Sequence, residues 1–160
     1  MEHRVGIGYD IHRFAPKRKL VLGGVVVPFG RGLLGHSDAD VVLHALCDAL
    51  LGAMGAGDIG HHFPPGDPAY RNVSSLDFLE QVVRLLRRRH FVVSNADVMV
   101  ILERPKIAPF VLEMKAKIGA VLGVGMENIS IKATTHEGVG EIGRGRAAAA
   151  YAVALIKKTR

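Results

Sequence analysis

Two hydrophobic periods alternate along this 160-residue chain. From Arg4 to His12 the period is two: Val5, Ile7, Tyr9 and Ile11 share one side of a predicted strand, and Gly6, Gly8, Asp10 and His12 share the other. Leu20 to Pro28 reads as a hairpin turning at Gly23-Gly24, and Gly30 to Gly35 as a loop. The period then changes. Ser37 as an N-cap, with Asp40 three residues on, predicts a helix from Asp38 to about Met54. That helix is apolar nearly all round and so reads as buried, yet Asp40, His44 and Asp48 form one polar line along it at i, i+4 and i+8. Gly55 to Val73 is a long irregular stretch of the kind that is functional or mobile in compact domains. Ser74 and Asp77 open a second helix carried by Leu76, Leu79, Val82, Val83 and Leu86 to about Arg89. Phe91 to Leu102 is a strand that Pro105 ends, Pro109 and Gly123 bracket a third helix, and Ile129, Ile131 and Ala133 mark another strand. After a glycine-rich turn from Thr134 to Arg144, the last strand runs from Gly145 to Ile156.

This order is satisfied by an α+β fold, a two-layer sandwich in which a mixed four-stranded sheet carries helices on one face, with the hairpin as an accessory. Residues 1–160 form one domain of ordinary size on this reading, without internal repeats. The other sheet face needs a cover or must be amphipathic. Small residues at Ala147 to Ala150 suit packing of that face against copies of the chain, and a face open to water is the alternative.

Composition narrows the function classes. The formal charge of +6 raises the question of nucleic acid, but only Arg87-Arg88-Arg89 and Lys157-Lys158-Thr159-Arg160 cluster, both at element or chain ends where cations are favoured. With three tyrosines, six phenylalanines and no tryptophan there is no platform for stacking bases, so the positive balance points to a small anionic substrate. Cys47 is the single cysteine, which excludes a disulfide framework and suits a reducing cytoplasmic setting. The N-terminus lacks the apolar core of a signal peptide, and the longest apolar run, Ala147 to Ile156, is too short to span a bilayer. A soluble protein, mature as written, is expected.

The chemistry-bearing residues fall into two groups. Asp10 and His12 on one strand face, joined by His44, would bring one carboxylate and two imidazoles together, the donor set of a catalytic zinc site with an open fourth position. Taken singly, Asp-x-His is a weak signal and His44 reads more readily as a hydrogen-bonded core histidine than as a ligand. Asp40 or Asp48 could fix an imidazole from behind. The second group, Thr134, Thr135, Glu137 and Arg144, offers hydroxyls, backbone amides and a guanidinium to phosphate oxygens, and Glu137 a ligand for a hard cation. A plain turn between strands explains it as well, and Lys106 after Pro105 is either a surface lysine or an anion contact.

Taken together these segments carry a resemblance. Gly8-Tyr-Asp-Ile-His12, Gly32-Leu-Leu-Gly-His-Ser-Asp-Ala-Asp40 with Leu43-His44, Gly57-Asp-Ile-Gly60 with Phe63-Pro64, Arg104-Pro-Lys106 and Lys132-Ala-Thr-Thr135 with Glu137 resemble, in order and spacing, the 2-C-methyl-D-erythritol 2,4-cyclodiphosphate synthase family. The resemblance runs from end to end of the chain. It implies a metal-dependent, CMP-forming lyase of the non-mevalonate isoprenoid route, assembled as a homotrimer with active sites between subunits, and no nucleic-acid or membrane partner. It implies Zn2+ at Asp10, His12 and His44, and Mg2+ or Mn2+ at Glu137. It assigns the methylerythritol phosphate end of a cytidine diphosphate substrate to His36, Ser37, Asp58, Ile59, Gly60, Phe63 and Asp67, with Asp10 and His12 beside them. The cytidine pocket falls to Leu102, Lys106, Ile107 and Ala108, and the diphosphate to Thr134, Thr135 and Glu137, with His136 and Arg144 as further substrate-binding residues and Arg144 near the trimer axis. His36 and Thr135 are the implied transition-state stabilisers. Pro65 stands where the family usually has an acidic residue. Glu141 replaces a bulky apolar one, and Arg146 and Tyr151 occupy places where acidic residues often neighbour Arg144.

Overall fold

The computed structural model describes residues 2–159; Met1, and Arg160 at the end of the C-terminal basic cluster, lie outside them. The first strand, β1 (His3–Pro16), is longer than its alternating pattern suggests. The hairpin follows as β2 (Leu20–Leu22) and β3 (Val25–Val27), and forms its own two-stranded sheet. Within the expected loop lies β4 (Arg31–Leu33), paired antiparallel with the extension of β1. The main sheet therefore has five strands, not four. Its remaining members are β5 (Phe91–Ile101), β6 (Ile129–Thr134) and β7 (Ala147–Lys158), in the order β4-β1-β7-β5-β6. Only the β5–β6 pair is parallel, so the sheet is mixed as expected.

Helices α1 (Val41–Ala53), α3 (Ser75–Arg88) and α4 (Val111–Leu122) pack with the sheet around the main core, and Gly123 ends α4 in the left-handed conformation. The irregular stretch between α1 and α3 holds one-turn α2 (Ile59–His62) and a 3-10 turn at Pro68–Tyr70. A last short helix, α5 (Gly140–Gly143), precedes β7.

Helix α1 lies unusually close to β1. A Cβ on Gly8 would overlap the Ala45 carbonyl oxygen, and one on Gly6 would overlap that of Ala49. Across the β1–β7 ladder these glycines face Ala152 and Ala154, so the strip of sheet beneath the helix carries almost no side chain. Ala148 and Ala150 face the same core, while Ala147 and Ala149 pack with Ile101 and Ile142 near α5. The four alanines are thus covered within the chain and do not form the bare face. That face shows Val5, Ile7, Tyr9, Ile11, Tyr151 and Val153 instead, all exposed, with the Tyr9 and Tyr151 rings 4.7 Å apart.

The start of α1 also differs from expectation. Ser37 is not the N-cap; Asp40 is, accepting from the backbone N–H of Leu43 at 3.1 Å. The same fully buried carboxylate accepts from Gly23 N at 3.0 Å and Gly24 N at 2.8 Å, pinning the hairpin turn onto the helix N-terminus. Burial, reinforced by the nearby Asp38 carboxylate, pushes the Asp40 pKa up to about 7 against the pull of these three donors.

The Gly8 contact is backbone against backbone and no rotamer change relieves it. Gly8→Ala is therefore expected to lower the unfolding free energy by about 1–3 kcal/mol, the range for overpacking a core, as read from urea denaturation.

Candidate metal centre and adjoining cleft

The strand face that carries Gly6 and Gly8 beneath α1 continues to Asp10 and His12, where His44 comes down from the end of the first turn of the helix. Asp10 Oδ2 lies 3.0 Å from His12 Nε2 and 3.0 Å from His44 Nδ1. Asp10, His12 and His44 form a group that could hold a metal ion, their ligand atoms all within 4.8 Å of one another. The far side of each ring is also engaged. His12 Nδ1 donates to Leu34 O at 2.6 Å, which leaves Nε2 as the free ligand atom. His44 Nε2 meets Ser75 Oγ at 2.9 Å and Ser37 Oγ at 3.1 Å, so its ligand atom is Nδ1. Two imidazoles with opposite nitrogens fixed behind them and a carboxylate between them fit a zinc-type cation.

The electrostatics of the group follow from Asp10. Burial alone would raise its pKa, but hydrogen bonds from His12 and His44 outweigh this and hold it below the usual carboxylate range. Burial likewise would lower the His12 pKa, and the hydrogen bond and charge of Asp10 outweigh it, leaving the imidazole raised.

The expected partners of the imidazoles, Asp40 and Asp48, are elsewhere. Asp40 caps the helix, and Asp48 Oδ1 accepts from Ile59 N at 2.7 Å, fixing the start of α2. The polar line on α1 therefore splits into three jobs, because its first member lies before the helix and its last faces a different loop. The residues behind His44 are Ser37 and Ser75, with Asp38 accepting from Ser75. Sequence reasoning missed Ser75, whose one local signal is its place after the N-cap Ser74. It also missed Arg18, which donates to Leu33 O at 2.6 Å and Ser37 O at 2.8 Å.

A cavity of about 170 Å³ opens beside the metal group. Its lining gathers His12, His36, Ser37, His44, Ile59, Gly60, Phe63 and Asp67, with Pro65 on its wall and Tyr70 and Phe78 as further aromatic members. Phe63 stacks on Phe78 at 4.6 Å. Asp58 does not line it; its carboxylate caps α2 through His61 N at 2.9 Å. Leu102, Lys106, Ile107, Ala108, Thr134 and Thr135 line a second cavity of about 210 Å³ that shares no residue with the first. His136 and Glu137 follow on the adjoining turn, where His136 N donates to Glu103 at 2.7 Å and Glu137 takes a left-handed φ of 52°. Arg144 is paired with Glu141 at 3.0 Å, and Glu141 also holds Arg146 at 3.3 Å.

Residues 3–157 match the model of the YgbB family. A 2-C-methyl-D-erythritol 2,4-cyclodiphosphate synthase of Symbiobacterium thermophilum is 60% identical over 152 residues, 95% of this chain and 97% of that protein. Among solved structures, the Plasmodium falciparum IspF–CDP complex superposes with a TM-score of 0.87 at 34% identity, covering 99% of this chain and 97% of that one. The bifunctional IspDF of Campylobacter jejuni gives a TM-score of 0.95 at 37% identity over 99% of this chain, which spans 43% of that longer polypeptide.

A cation and protons compete for the same nitrogens. Because Asp10 raises the His12 pKa above the ordinary value of about 6.5, competition begins at a higher pH than for a free histidine. Zinc affinity, measured against a chromophoric chelator, is expected to start falling with decreasing pH before an ordinary histidine would protonate, approaching a tenfold loss per pH unit once His12 is protonated. The depressed Asp10 pKa means that the carboxylate adds no further loss until well into acid.

Proposed function

The chain belongs to the YgbB family, and from that premise we infer that it cyclises 4-diphosphocytidyl-2-C-methyl-D-erythritol 2-phosphate to 2-C-methyl-D-erythritol 2,4-cyclodiphosphate and releases CMP, a step of the non-mevalonate route to isoprenoid precursors. The observation that carries this reading is the Asp10, His12 and His44 group at the mouth of a cavity lined by His36, Ser37, Ile59, Gly60 and Phe63.

In the reaction, a 2-phosphate oxygen attacks the β-phosphorus of the same molecule. The bond from that phosphorus to the oxygen bridging the α- and β-phosphates breaks, CMP departs with the bond's electrons, and an eight-membered ring closes. The attacking monoester is already an anion, so positioning and charge neutralisation dominate over general-base catalysis. When bound, Zn2+ at Asp10, His12 and His44 would orient and polarise the β-phosphate, and Mg2+ or Mn2+ held by Glu137 would neutralise the diphosphate of the leaving group. His36 and Ser37, in the lining of the first cavity, hold the methylerythritol phosphate end together with Gly60 and Phe63 of the same lining, and Asp58 and Asp67 shape the loop. Phe63, Tyr70 and Phe78 make an apolar wall that keeps water from competing as nucleophile. Leu102, Lys106, Ile107 and Ala108 take the cytidine in the second cavity, and the CDP complex of the Plasmodium falciparum neighbour supports a cytidine nucleotide as the kind of ligand. Thr134 and Thr135 donate hydroxyls to the diphosphate, and Thr135 and His36 steady the developing charge. His136 and Arg144 flank this turn. The reaction class is that of a phosphorus–oxygen lyase, and the cytoplasm is the expected location. No helix among the described residues is long and apolar enough to cross a membrane.

The exposed face of Val5, Ile7, Tyr9, Ile11, Tyr151 and Val153 supports assembly as a homotrimer, with the two cavities completing each other across subunits. Analytical ultracentrifugation is expected to give three times the chain mass. Replacing Ile7 and Val153 with charged residues is expected to release monomers with little activity.

Incubation with the cytidylated substrate is expected to yield CMP and the cyclic diphosphate by 31P NMR, and His44→Ala to lower turnover by about a hundredfold or more. A linear 2,4-bisphosphate beside CMP would instead identify a hydrolytic phosphodiesterase and overturn the cyclase reading.

A further inference from the structure

We propose that Ser75 and Asp38 are positioning residues for the metal centre, acting through His44 by fixing which of its ring nitrogens carries the proton. This rests on the metal reading of Asp10, His12 and His44. Ser75 is the first residue of α3, 37 positions from Asp38 in sequence, and is fully buried. Its hydroxyl bonds to Asp38 Oδ1, and its own backbone N–H donates to Asp38 Oδ2 at 3.0 Å. Asp38 Oδ1 also accepts from Asp40 N at 3.1 Å.

Proton accounting on the Nε2 side of His44 then leaves one arrangement. Asp38, as a carboxylate, can only accept, so the single hydroxyl proton of Ser75 points to it. The Ser75 oxygen facing His44 at 2.9 Å must therefore accept, and His44 must carry its proton on Nε2. Ser37 Oγ, which already accepts from Ala39 N at 3.2 Å, faces the same Nε2 at 3.1 Å. With Nε2 engaged by its partners, Nδ1 is the nitrogen left to give its lone pair to a cation beside Asp10. The chain's other metal imidazole achieves the same end through a backbone carbonyl, Leu34 O on His12 Nδ1. A carbonyl can never donate, whereas a hydroxyl can; Asp38 removes that ambiguity from Ser75. The same carboxylate ties α3 to the loop bearing His36 and Ser37, so ring orientation and loop position are set by one group.

Zinc binding to the full chain, read by competition with a chromophoric chelator, tests this without recourse to turnover. Ser75→Ala is expected to weaken zinc by about 10- to 100-fold, the range for outer partners of metal-bound imidazoles. In the zinc-loaded wild type, the His44 Nε2–H is expected as a slowly exchanging, 15N-coupled proton signal, lost to exchange in Ser75→Ala. Asp38→Asn keeps the shape but must turn its amide N–H2 toward one of three donors, so it too is expected to weaken zinc several-fold. Ser75→Ala binding zinc within about twofold of wild type, or keeping the protected signal, would overturn the inference. If Ser75→Ala does not fold, unchanged affinity in Asp38→Asn overturns it. A wild type that binds no zinc would defeat the metal reading itself, a separate outcome.

Discussion

The close approach of α1 to the sheet is the constraint on which the rest depends. A helix normally stands off a sheet by the thickness of two layers of side chains. Here Gly6 and Gly8 leave room for the Ala49 and Ala45 carbonyls, and the paired β7 positions are Ala154 and Ala152. The strand advances two residues at a time along this face, from Gly6 to Gly8 to Asp10 to His12. The helix runs over it in the opposite direction, from Ala53 and Ala49 to Ala45. His44 therefore arrives above Asp10 at the place where the small residues give way to the polar ones. With side chains on positions 6 and 8, the helix would lie farther out and its imidazole could not share Asp10 Oδ2 at 3.0 Å. Packing and site are one arrangement, which is why a methyl group at Gly8 acts on both.

Bringing a polar helix start into the core requires that every group there find a partner, since an unmet buried donor or acceptor costs about 1–3 kcal/mol. The chain answers with carboxylates that accept from several directions. Asp40 takes three backbone N–H groups, from the hairpin turn and the first turn of α1. Asp38 takes the amide and hydroxyl of Ser75 and the amide of Asp40. Asp48 takes the Ile59 amide and so fixes the loop that faces the metal group across the cleft. None of these carboxylates touches an imidazole, yet each holds an element that carries a residue of the cleft.

Much of this was legible in the residues. The β1 alternation put Asp10 and His12 on one face, and the helix period put His44 on a buried rod; both rest on local geometry that tertiary structure did not alter. The reading faltered where long-range contacts override local preference. Ser37 has the chemistry of an N-cap, but Arg18 holds its carbonyl and Ala39 turns through a left-handed φ of 57°, which delays the helix until Asp40. Strand β4 is three residues with a central glycine and shows no alternation; it is a strand only because the extension of β1 past His12 offers it a ladder. The apolar side of β1 is the exposed one, the reverse of the usual rule, because the buried side is occupied by a helix backbone. Ser75 could not be found from spacing, since 31 residues separate it from the histidine it faces.

The loop between β4 and α1 shows how these contacts bear on chemistry. Its backbone is held at Leu33 and Ser37 by Arg18, at Leu34 by His12, at His36 through Asn72 N, and at Asp38 by Val73 O. Because the Arg18 guanidinium is spent on carbonyl oxygens, which carry no net charge, it braces the loop without losing its positive field. That field opposes protonation of His12, and it also favours an anionic guest in the neighbouring cavity. A loop pinned at successive residues has little freedom left to lose on binding, so the position of His36 and Ser37 is settled before a ligand enters. For a reaction whose nucleophile is already ionised, such prior placement is the larger part of what a protein can contribute, and here it is supplied by arginine and histidine contacts to backbone oxygens.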